Sequence, residues 1–110
     1  MISVVIPLLN ESNLVAKLVE EVYMNLKTVG EEFEIVCVDD GSTDTTLTKL
    51  LALREKHREL KIISLSRNFG LQPALTAGLE YANGNCIVMM DGDFQDPPEL
   101  IPELHKKLKE

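Results

Sequence analysis

Two carboxylates directly follow an apolar stretch late in the chain. Residues 86–90, Cys-Ile-Val-Met-Met, are apolar without a break and predict a strand buried on both faces, as in a parallel sheet covered by helices. Asp91 and Asp93 come next, separated only by Gly92. Side chains two positions apart in extended backbone point to the same side, so this pair can share one divalent cation. The sequence therefore predicts a metal site of Asp91 and Asp93 at the carboxyl end of a strand, where open α/β sheets bind ligands.

The elements that must position this pair alternate along the chain. Apolar runs predict strands, and apolar residues at three- and four-residue steps predict helices between them. The predicted strands cover residues 2–9, 33–38, 62–65 and 86–90, with helices from Leu14, from about Asp44, from Pro73 and after Pro97. Short connections between alternating strands and helices predict a parallel, doubly wound, Rossmann-like α/β sheet. The acidic clusters after the second and fourth strands and the basic loop after the third would then meet at one edge.

The polar side chains of that edge are suited to a nucleoside diphosphate. A metal ion on the acidic pair would neutralise a diphosphate and make it a better leaving group. Gln95 is a neutral hydrogen-bonding group on the same loop, and Arg67 offers a forked donor to phosphate oxygens. Asp39 and Asp40 could accept hydrogen bonds from a nucleobase N–H or from ribose hydroxyls. Together these residues predict a nucleoside-diphosphate site.

Each cluster also has a structural interpretation. Residues 39–44, Asp-Asp-Gly-Ser-Thr-Asp, are ordinary turn and helix-cap chemistry, and a single arginine such as Arg67 is usually solvated. A helix-loop-helix calcium loop fails, because its required Gly and Glu positions hold Asp96 and Pro102. It is the combination of clusters that points to a ligand site.

Composition limits the function classes. The chain has 110 residues, 45% of them hydrophobic, which is enough for one core and one domain. A formal charge of −7 argues against nucleic acid as a partner and against electrostatic binding to a membrane surface. The covered sequence contains no charged-then-apolar leader and no run of 18 apolar residues, so we expect this segment to be soluble and cytosolic.

The cysteines and histidines are assigned no chemistry. Cys37 and Cys86 fall in predicted buried strands and are expected to be free. If the strand order is 3-2-1-4, these two strands flank the first, which places the two cysteines roughly 10 Å apart and excludes a disulfide. His57 and His105 lie in charged, helical surroundings and are expected to be solvated.

Four stretches in register closely resemble family 2 glycosyltransferases. They are residues 4–11, Val-Val-Ile-Pro-Leu-Leu-Asn-Glu; residues 38–44, Val-Asp-Asp-Gly-Ser-Thr-Asp; residues 66–79, which begin Ser-Arg-Asn-Phe-Gly; and residues 91–98, Asp-Gly-Asp-Phe-Gln-Asp-Pro-Pro. The third and fourth look most like the polyprenyl-phosphate glycosyltransferases, the group of bactoprenol and dolichyl-phosphate sugar transferases. The resemblance implies that residues 1–110 are the truncated, N-terminal nucleotide-sugar-binding half of a GT-A domain, with strand order 3-2-1-4.

The resemblance also assigns roles by position. Pro7, Leu9 and Glu11 would border the nucleotide, joined by the residues of the later clusters that could bind it, namely Asp39, Asp40, Arg67 and Asp91. Asp91 and Asp93 would hold Mg²⁺ or Mn²⁺, and Gln95 would line the donor sugar site; these three are the predicted catalytic residues.

Such enzymes move a sugar from a nucleotide to a lipid phosphate at the cytosolic face of a membrane, with inversion at the sugar carbon. The resemblance therefore implies a nucleotide-diphosphate-sugar donor, a polyprenyl phosphate acceptor bound by later segments, and membrane association of the full-length protein. A homo-oligomer is left open.

Other classes fit less well. A receiver domain has its acid pair after the first strand and a lysine after the fifth strand. An Asp-x-Asp phosphohydrolase also has its acid pair after the first strand. A dinucleotide-dependent dehydrogenase needs a glycine-rich turn after the first strand. This chain has Leu-Leu-Asn-Glu after its first strand. The alternatives kept are an inactive nucleotide-binding fragment and a receiver-like signalling domain. We expect the fragment alone to bind nucleotide weakly and not to turn over.

Overall fold

Strands and helices alternate in the computed structural model, which describes residues 1–90 and 101–102. The elements are β1 (Ile2–Leu8), α1 (Val15–Val29), β2 (Phe33–Asp39), α2 (Thr46–Lys56), β3 (Leu60–Ser64), α3 (Leu71–Tyr81) and β4 (Cys86–Met89). These bounds lie within a few residues of the predicted ones. We predicted that Pro73 is the first residue of this helix, but it is the third residue of α3. The first turn tolerates a proline because its missing N–H would have no helical partner there. Asp91, Asp93 and Gln95 lie outside the described residues.

All strand pairs in the described sheet are parallel, and the order is β3-β2-β1-β4. β1 pairs with β2 from Ile2 opposite Phe33 to Leu8 opposite Asp39, and with β4 from Ile2 opposite Cys86. This confirms the predicted doubly wound sheet and its 3-2-1-4 order. It differs from the 2-1-3-4-5 order of receiver domains, so the receiver-like alternative is wrong.

The main core lies between the sheet and helices α1 and α2. Alternate residues of β1, including Val4 and Ile6, face Leu18 and Val22 of α1 in one buried cluster. Gly30 ends α1 in the left-handed conformation, with φ +79°. The central strand thus contributes one face to this core and leaves the other to α3.

Helix α3 covers the opposite face through small residues. Ala74 packs with Val5, Val36 and Val38 in a second buried cluster. A Cβ added at Gly78 would lie 2.4 Å from Val5 Cγ1. The small residues Ala74 and Gly78 are therefore what allows the close approach of this helix to the sheet.

β4 is buried on one face only, so the prediction of a strand covered on both faces is wrong for the described residues. Val88 is buried, but Ile87 and Met89 are 39% and 54% exposed. The reason is the position of α3, which packs on β1 and β2. A run of apolar residues does not reveal which neighbouring helix lies over it.

His57 is buried and not solvated, which corrects the sequence prediction. Its Nε2 lies 2.9 Å from Glu20 Oε1, and its ring packs 4.2 Å from the Tyr23 ring. These contacts connect His57, the first residue after α2, to α1. Cys37 and Cys86 are both free, as predicted, although Cys86 is only partly buried. None of the helices in the described ranges is long and apolar enough to span a membrane.

Candidate functional site

A cleft of about 330 Å³ opens beyond the carboxyl ends of β1 and β2. It is lined by Pro7, Leu8, Leu9, Glu11, Asp40, Asn68, Gly70 and Leu71. These residues come from three chain segments that leave the same edge of the parallel sheet: the loop after β1, the end of β2, and the loop between β3 and α3. This is the position at which open α/β sheets bind ligands.

Asp40 holds the loop between β3 and α3. This residue is only 4% exposed. Its Oδ1 and Oδ2 accept hydrogen bonds from the backbone N–H groups of Phe69 and Gly70, at 2.9 and 3.1 Å. Asn68 Oδ1 also accepts from the Gly70 N–H at 3.0 Å. Hydrogen bonds to a carboxylate are about twice as strong as neutral ones. One acid therefore fixes the wall that presents Asn68 and Gly70 to the cleft.

Gly41 allows the two loops to meet. It adopts φ +72°, and a Cβ there would lie 2.3 Å from the backbone carbonyl carbon of Arg67 and 2.4 Å from the Asn68 nitrogen. Only glycine fits both the conformation and the space. The loop after β2 and the loop after β3 are thus in direct backbone contact.

Asp39 and Arg67 lie beside the cleft but are not among the residues that line it. Asp39 is 2% exposed, and its Oδ1 accepts a hydrogen bond from the Ser42 N–H at 3.3 Å. Arg67 is exposed, and its guanidinium lies 4.7 Å from the centre of the Phe69 ring. A guanidinium beside an aromatic ring keeps its charge and its donors, so Arg67 can still bind an anion.

The loop after β1 is held by side chains of the segment before α2. Asn10, at φ +54°, donates its N–H to Ser42 Oγ at 2.9 Å and accepts from the Thr43 N–H through Oδ1 at 2.8 Å. The Glu11 N–H donates to Thr46 Oγ1 at 3.0 Å. These contacts fix the backbone on the N-terminal side of the cleft-lining Glu11.

Asp44 is the charged centre of that segment. Its Oδ1 accepts from the Thr46 hydroxyl at 2.5 Å and from the Thr46 N–H at 2.9 Å, and its Oδ2 accepts from the Ser12 N–H at 3.2 Å. The Thr46 hydroxyl is the main reason why the pKa of Asp44 falls to about 2. The carboxylate is therefore ionised throughout the physiological pH range and keeps accepting all three bonds.

Four of the predicted nucleotide-binding residues come together in the cleft: Pro7, Leu9, Glu11 and Asp40. The predicted metal pair and Gln95 lie outside the described residues, and within residues 1–90 and 101–102 no three acidic, histidine or cysteine side chains are grouped to hold a metal ion. Sequence reasoning missed Leu8, Asn68, Gly70 and Leu71 as lining residues. Of these, Asn68 could have been predicted, because it follows Arg67 in a loop that was predicted to lie at this edge.

Solved structures with this fold include nucleotide-sugar complexes. The chain is similar to the mannosyltransferase PcManGT of Pyrobaculum calidifontis, solved with GDP-Man and Mn²⁺, at 25% identity and a TM-score of 0.73 over 87% of this chain and 32% of that one. It is similar to S. aureus TarS 1–349, solved with UDP-GlcNAc, at 32% identity and a TM-score of 0.70 over 84% of this chain and 26% of that one. The sheet described here is thus the GT-A sheet of glycosyltransferases.

Curated relatives extend the likeness along the whole chain. An uncharacterized glycosyltransferase of Synechocystis sp. is 45% identical over 99% of this chain and 34% of its own length. The dodecaprenyl-phosphate galacturonate synthase of Rhizobium johnstonii is 40% identical over 98% of this chain and 32% of its own length. The chain therefore spans about a third of these relatives. Because the family model described as "Glycosyl transferase family 2" also matches residues 3–110, the protein belongs to glycosyl transferase family 2.

Proposed function

We propose that this chain is the nucleotide-sugar-binding part of an enzyme that transfers a sugar from a nucleoside-diphosphate sugar to a polyprenyl phosphate. The observation that carries the proposal is the cleft beyond β1 and β2, where Pro7, Leu9, Glu11 and Asp40 line one cavity in a family 2 chain. The cleft volume of about 330 Å³ is at the lower end of the range for small-molecule sites. It suits part of a nucleotide, with the rest of the donor extending past it.

The donor is a nucleotide sugar by this proposal. Apolar Pro7, Leu9 and Leu71 offer surface to a base or ribose, whereas Asn68 and Glu11 offer polar groups that fix its orientation. Both oxygens of Asp40 already accept backbone N–H groups, which leaves this carboxylate its remaining lone pairs for a ligand donor. Support also comes from the similar solved proteins, which are complexes with GDP-Man and UDP-GlcNAc.

Asp91 and Asp93 are proposed to hold Mg²⁺ or Mn²⁺. Both follow β4 in the sequence, and β4 runs parallel to β1, so the strand that precedes them ends at the edge that carries the cleft. Carboxylate oxygens are the donors that these hard cations prefer. When bound, the metal ion would neutralise the diphosphate of the leaving nucleotide. Gln95, two residues further on, is proposed to face the donor sugar.

The acceptor is proposed to be a polyprenyl phosphate at the cytosolic face of a membrane, bound by parts of the enzyme outside this chain. Support comes from the 40% identical relative, which is a dodecaprenyl-phosphate galacturonate synthase. A phosphate acceptor is already ionised at neutral pH and needs no strong general base.

The test is nucleotide binding to the full-length protein. Titrations with UDP, GDP and dTDP, with and without Mn²⁺, compare the wild type with Asp93→Ala and with Glu80→Ala, which removes an exposed carboxylate of α3 outside the cleft. We expect one nucleotide to bind more tightly with Mn²⁺, and this gain to be lost in Asp93→Ala and kept in Glu80→Ala. Equal Mn²⁺ dependence in all three proteins would contradict the metal assignment.

The acceptor is tested separately by transfer of sugar to a short polyprenyl phosphate, compared with the corresponding polyprenol. We expect transfer only to the phosphate. Residues 1–110 alone are expected to bind nucleotide without transferring sugar, because they span about a third of the length of their relatives. Sugar transfer by this segment alone would contradict that expectation.

A further inference from the structure

One hydroxyl group, that of Thr46, links the loop after β1 to Asp44, just before α2, through two hydrogen bonds. We call these two bonds the relay. Thr46 is fully buried at the start of α2, and its hydroxyl carries a single proton. That proton is donated to Asp44 Oδ1 at 2.5 Å. The hydroxyl oxygen is then directed to accept the Glu11 N–H at 3.0 Å.

The relay depends on a carboxylate at position 44. Asp44 Oδ1 accepts both bonds from Thr46, and Oδ2 accepts the Ser12 N–H at 3.2 Å. An asparagine has only one acceptor oxygen, so its NH₂ group would face either the Ser12 N–H or the Thr46 donors. Glu11 and Ser12 are consecutive residues, so one carboxylate fixes two successive peptide N–H groups of this loop.

Neither Asp44 nor Thr46 is among the residues that line the cleft, whereas Leu9 and Glu11 are. The Glu11 carbonyl also accepts the Leu14 and Val15 N–H groups at the start of α1, at 3.0 and 2.9 Å. The backbone of Glu11 is therefore held on its N–H side by α2 and on its carbonyl side by α1. A shift of this residue would move one wall of the cleft.

We propose that Asp44 and Thr46 are positioning residues that set the nucleotide-binding wall of the cleft by holding the Glu11 backbone. The inference rests on the proposed function, because it assigns these residues to the binding of the donor nucleotide. Neither residue touches the ligand. Their effect on binding is transmitted through the Thr46 hydroxyl and the Ser12 N–H.

The test compares Thr46→Val with Thr46→Ser in the full-length protein. Valine keeps the shape of threonine and removes the hydroxyl, whereas serine keeps the hydroxyl. We expect Thr46→Val to weaken binding of the best nucleotide about tenfold, because the hydrogen bond that holds the Glu11 N–H is lost together with the one to Asp44, and Thr46→Ser to stay within about threefold of the wild type. In steady-state assays Thr46→Val should raise the donor KM more than it lowers kcat.

A matched control removes a threonine hydroxyl elsewhere. Thr76 on α3 is exposed and donates its hydroxyl to the Gln72 carbonyl at 2.9 Å, away from the cleft. Thr76→Val should leave nucleotide affinity unchanged. All titrations are made below the thermal unfolding transition of each variant, so that a loss of stability alone does not alter the measured affinity.

The outcomes separate the two proposals. If the wild type binds nucleotide and Thr46→Val binds it equally well, the positioning role is overturned and the nucleotide site stands. If the wild type binds none of the nucleotides, the proposed function fails and the positioning role fails with it. Should Thr46→Val not fold, Asp44→Asn decides: weaker binding supports the role, and wild-type affinity overturns it.

Discussion

Replacing Gly41 with alanine should damage the site far more than the same change at Gly30. Both glycines have positive φ, at +72° and +79°. A Cβ at Gly30 meets nothing within 4 Å, whereas a Cβ at Gly41 lies 2.3 Å from the Arg67 carbonyl carbon and 2.4 Å from the Asn68 nitrogen. Gly30→Ala therefore carries only the conformational cost of a left-handed residue, about 1–2 kcal/mol.

Gly41→Ala carries that cost and a collision with backbone atoms that cannot move alone. To relieve it, the loop after β3 must move away, which lengthens the bonds from Phe69 and Gly70 to Asp40, now 2.9 and 3.1 Å. Losing one hydrogen bond to a charged group costs about 1.5–3 kcal/mol. We therefore expect Gly41→Ala to lower the free energy of unfolding by about 2.5–5 kcal/mol, the sum of the conformational cost and one such bond.

Urea denaturation followed by circular dichroism measures both variants, and nucleotide titration follows the cleft. Gly41→Ala should lose nucleotide affinity because the moved loop carries Asn68 and Gly70, which line the cleft. Gly30→Ala lies at the far end of α1 and should keep wild-type affinity. Equal unfolding free energies for the two variants would refute the reasoning, since the contact between the loops would then contribute nothing.

Three further predictions concern side chains away from the cleft. The hydrogen bond from His57 lowers the pKa of Glu20, so the stabilisation it gives is present above the ordinary pKa of 4.5 and is lost as pH falls through the lowered pKa. The difference in unfolding free energy between wild type and Glu20→Gln, measured in urea, should therefore shrink as pH falls below 4.5. Burial raises the pKa of the Cys37 thiol to about 12, so alkylation of the native protein, followed by mass spectrometry, should label Cys86 first and Cys37 only after denaturation. Glu34→Ala should lower the free energy of unfolding, measured by urea denaturation, by about 2 kcal/mol. The residue is 7% exposed, and its carboxylate accepts two hydrogen bonds of 2.6 Å and forms an ion pair with Lys61 at 3.0 Å.

The sheet was predictable because its signals are local. Apolar runs, short connections and the stop at Gly30 require only neighbouring residues, and strand direction alone placed the acidic cluster after β2 and the loop after β3 at the same edge. The cleft-lining role of Pro7, Leu9 and Glu11 came from the family resemblance. No local pattern distinguishes those residues from an ordinary loop.

What the sequence could not reveal are contacts between distant segments. Asp40 lines the cleft, as expected of a ligand-binding residue, but its hydrogen bonds to the N–H groups of residues 29 and 30 positions later could not be predicted. His57 was expected in solvent because its sequence neighbours are charged, whereas its partner Glu20 lies 37 positions earlier. The exposed face of β4 depends on where α3 crosses the sheet. Each of these requires knowing how elements pack, which periodicity does not encode.

The position of β1 in the sheet has a consequence for biosynthesis. One of its edges pairs with β2, but the other pairs only with residues 86–89, which a ribosome adds on the order of seconds later at about 5–20 residues per second. Until then β1 is an edge strand with unpaired backbone groups, although it lies inside the described sheet once β4 has paired with it. An edge strand of this kind can pair with a strand of a neighbouring nascent chain. The interval before residues 86–89 are added is therefore when the free edge of β1 is open to pairing with another chain.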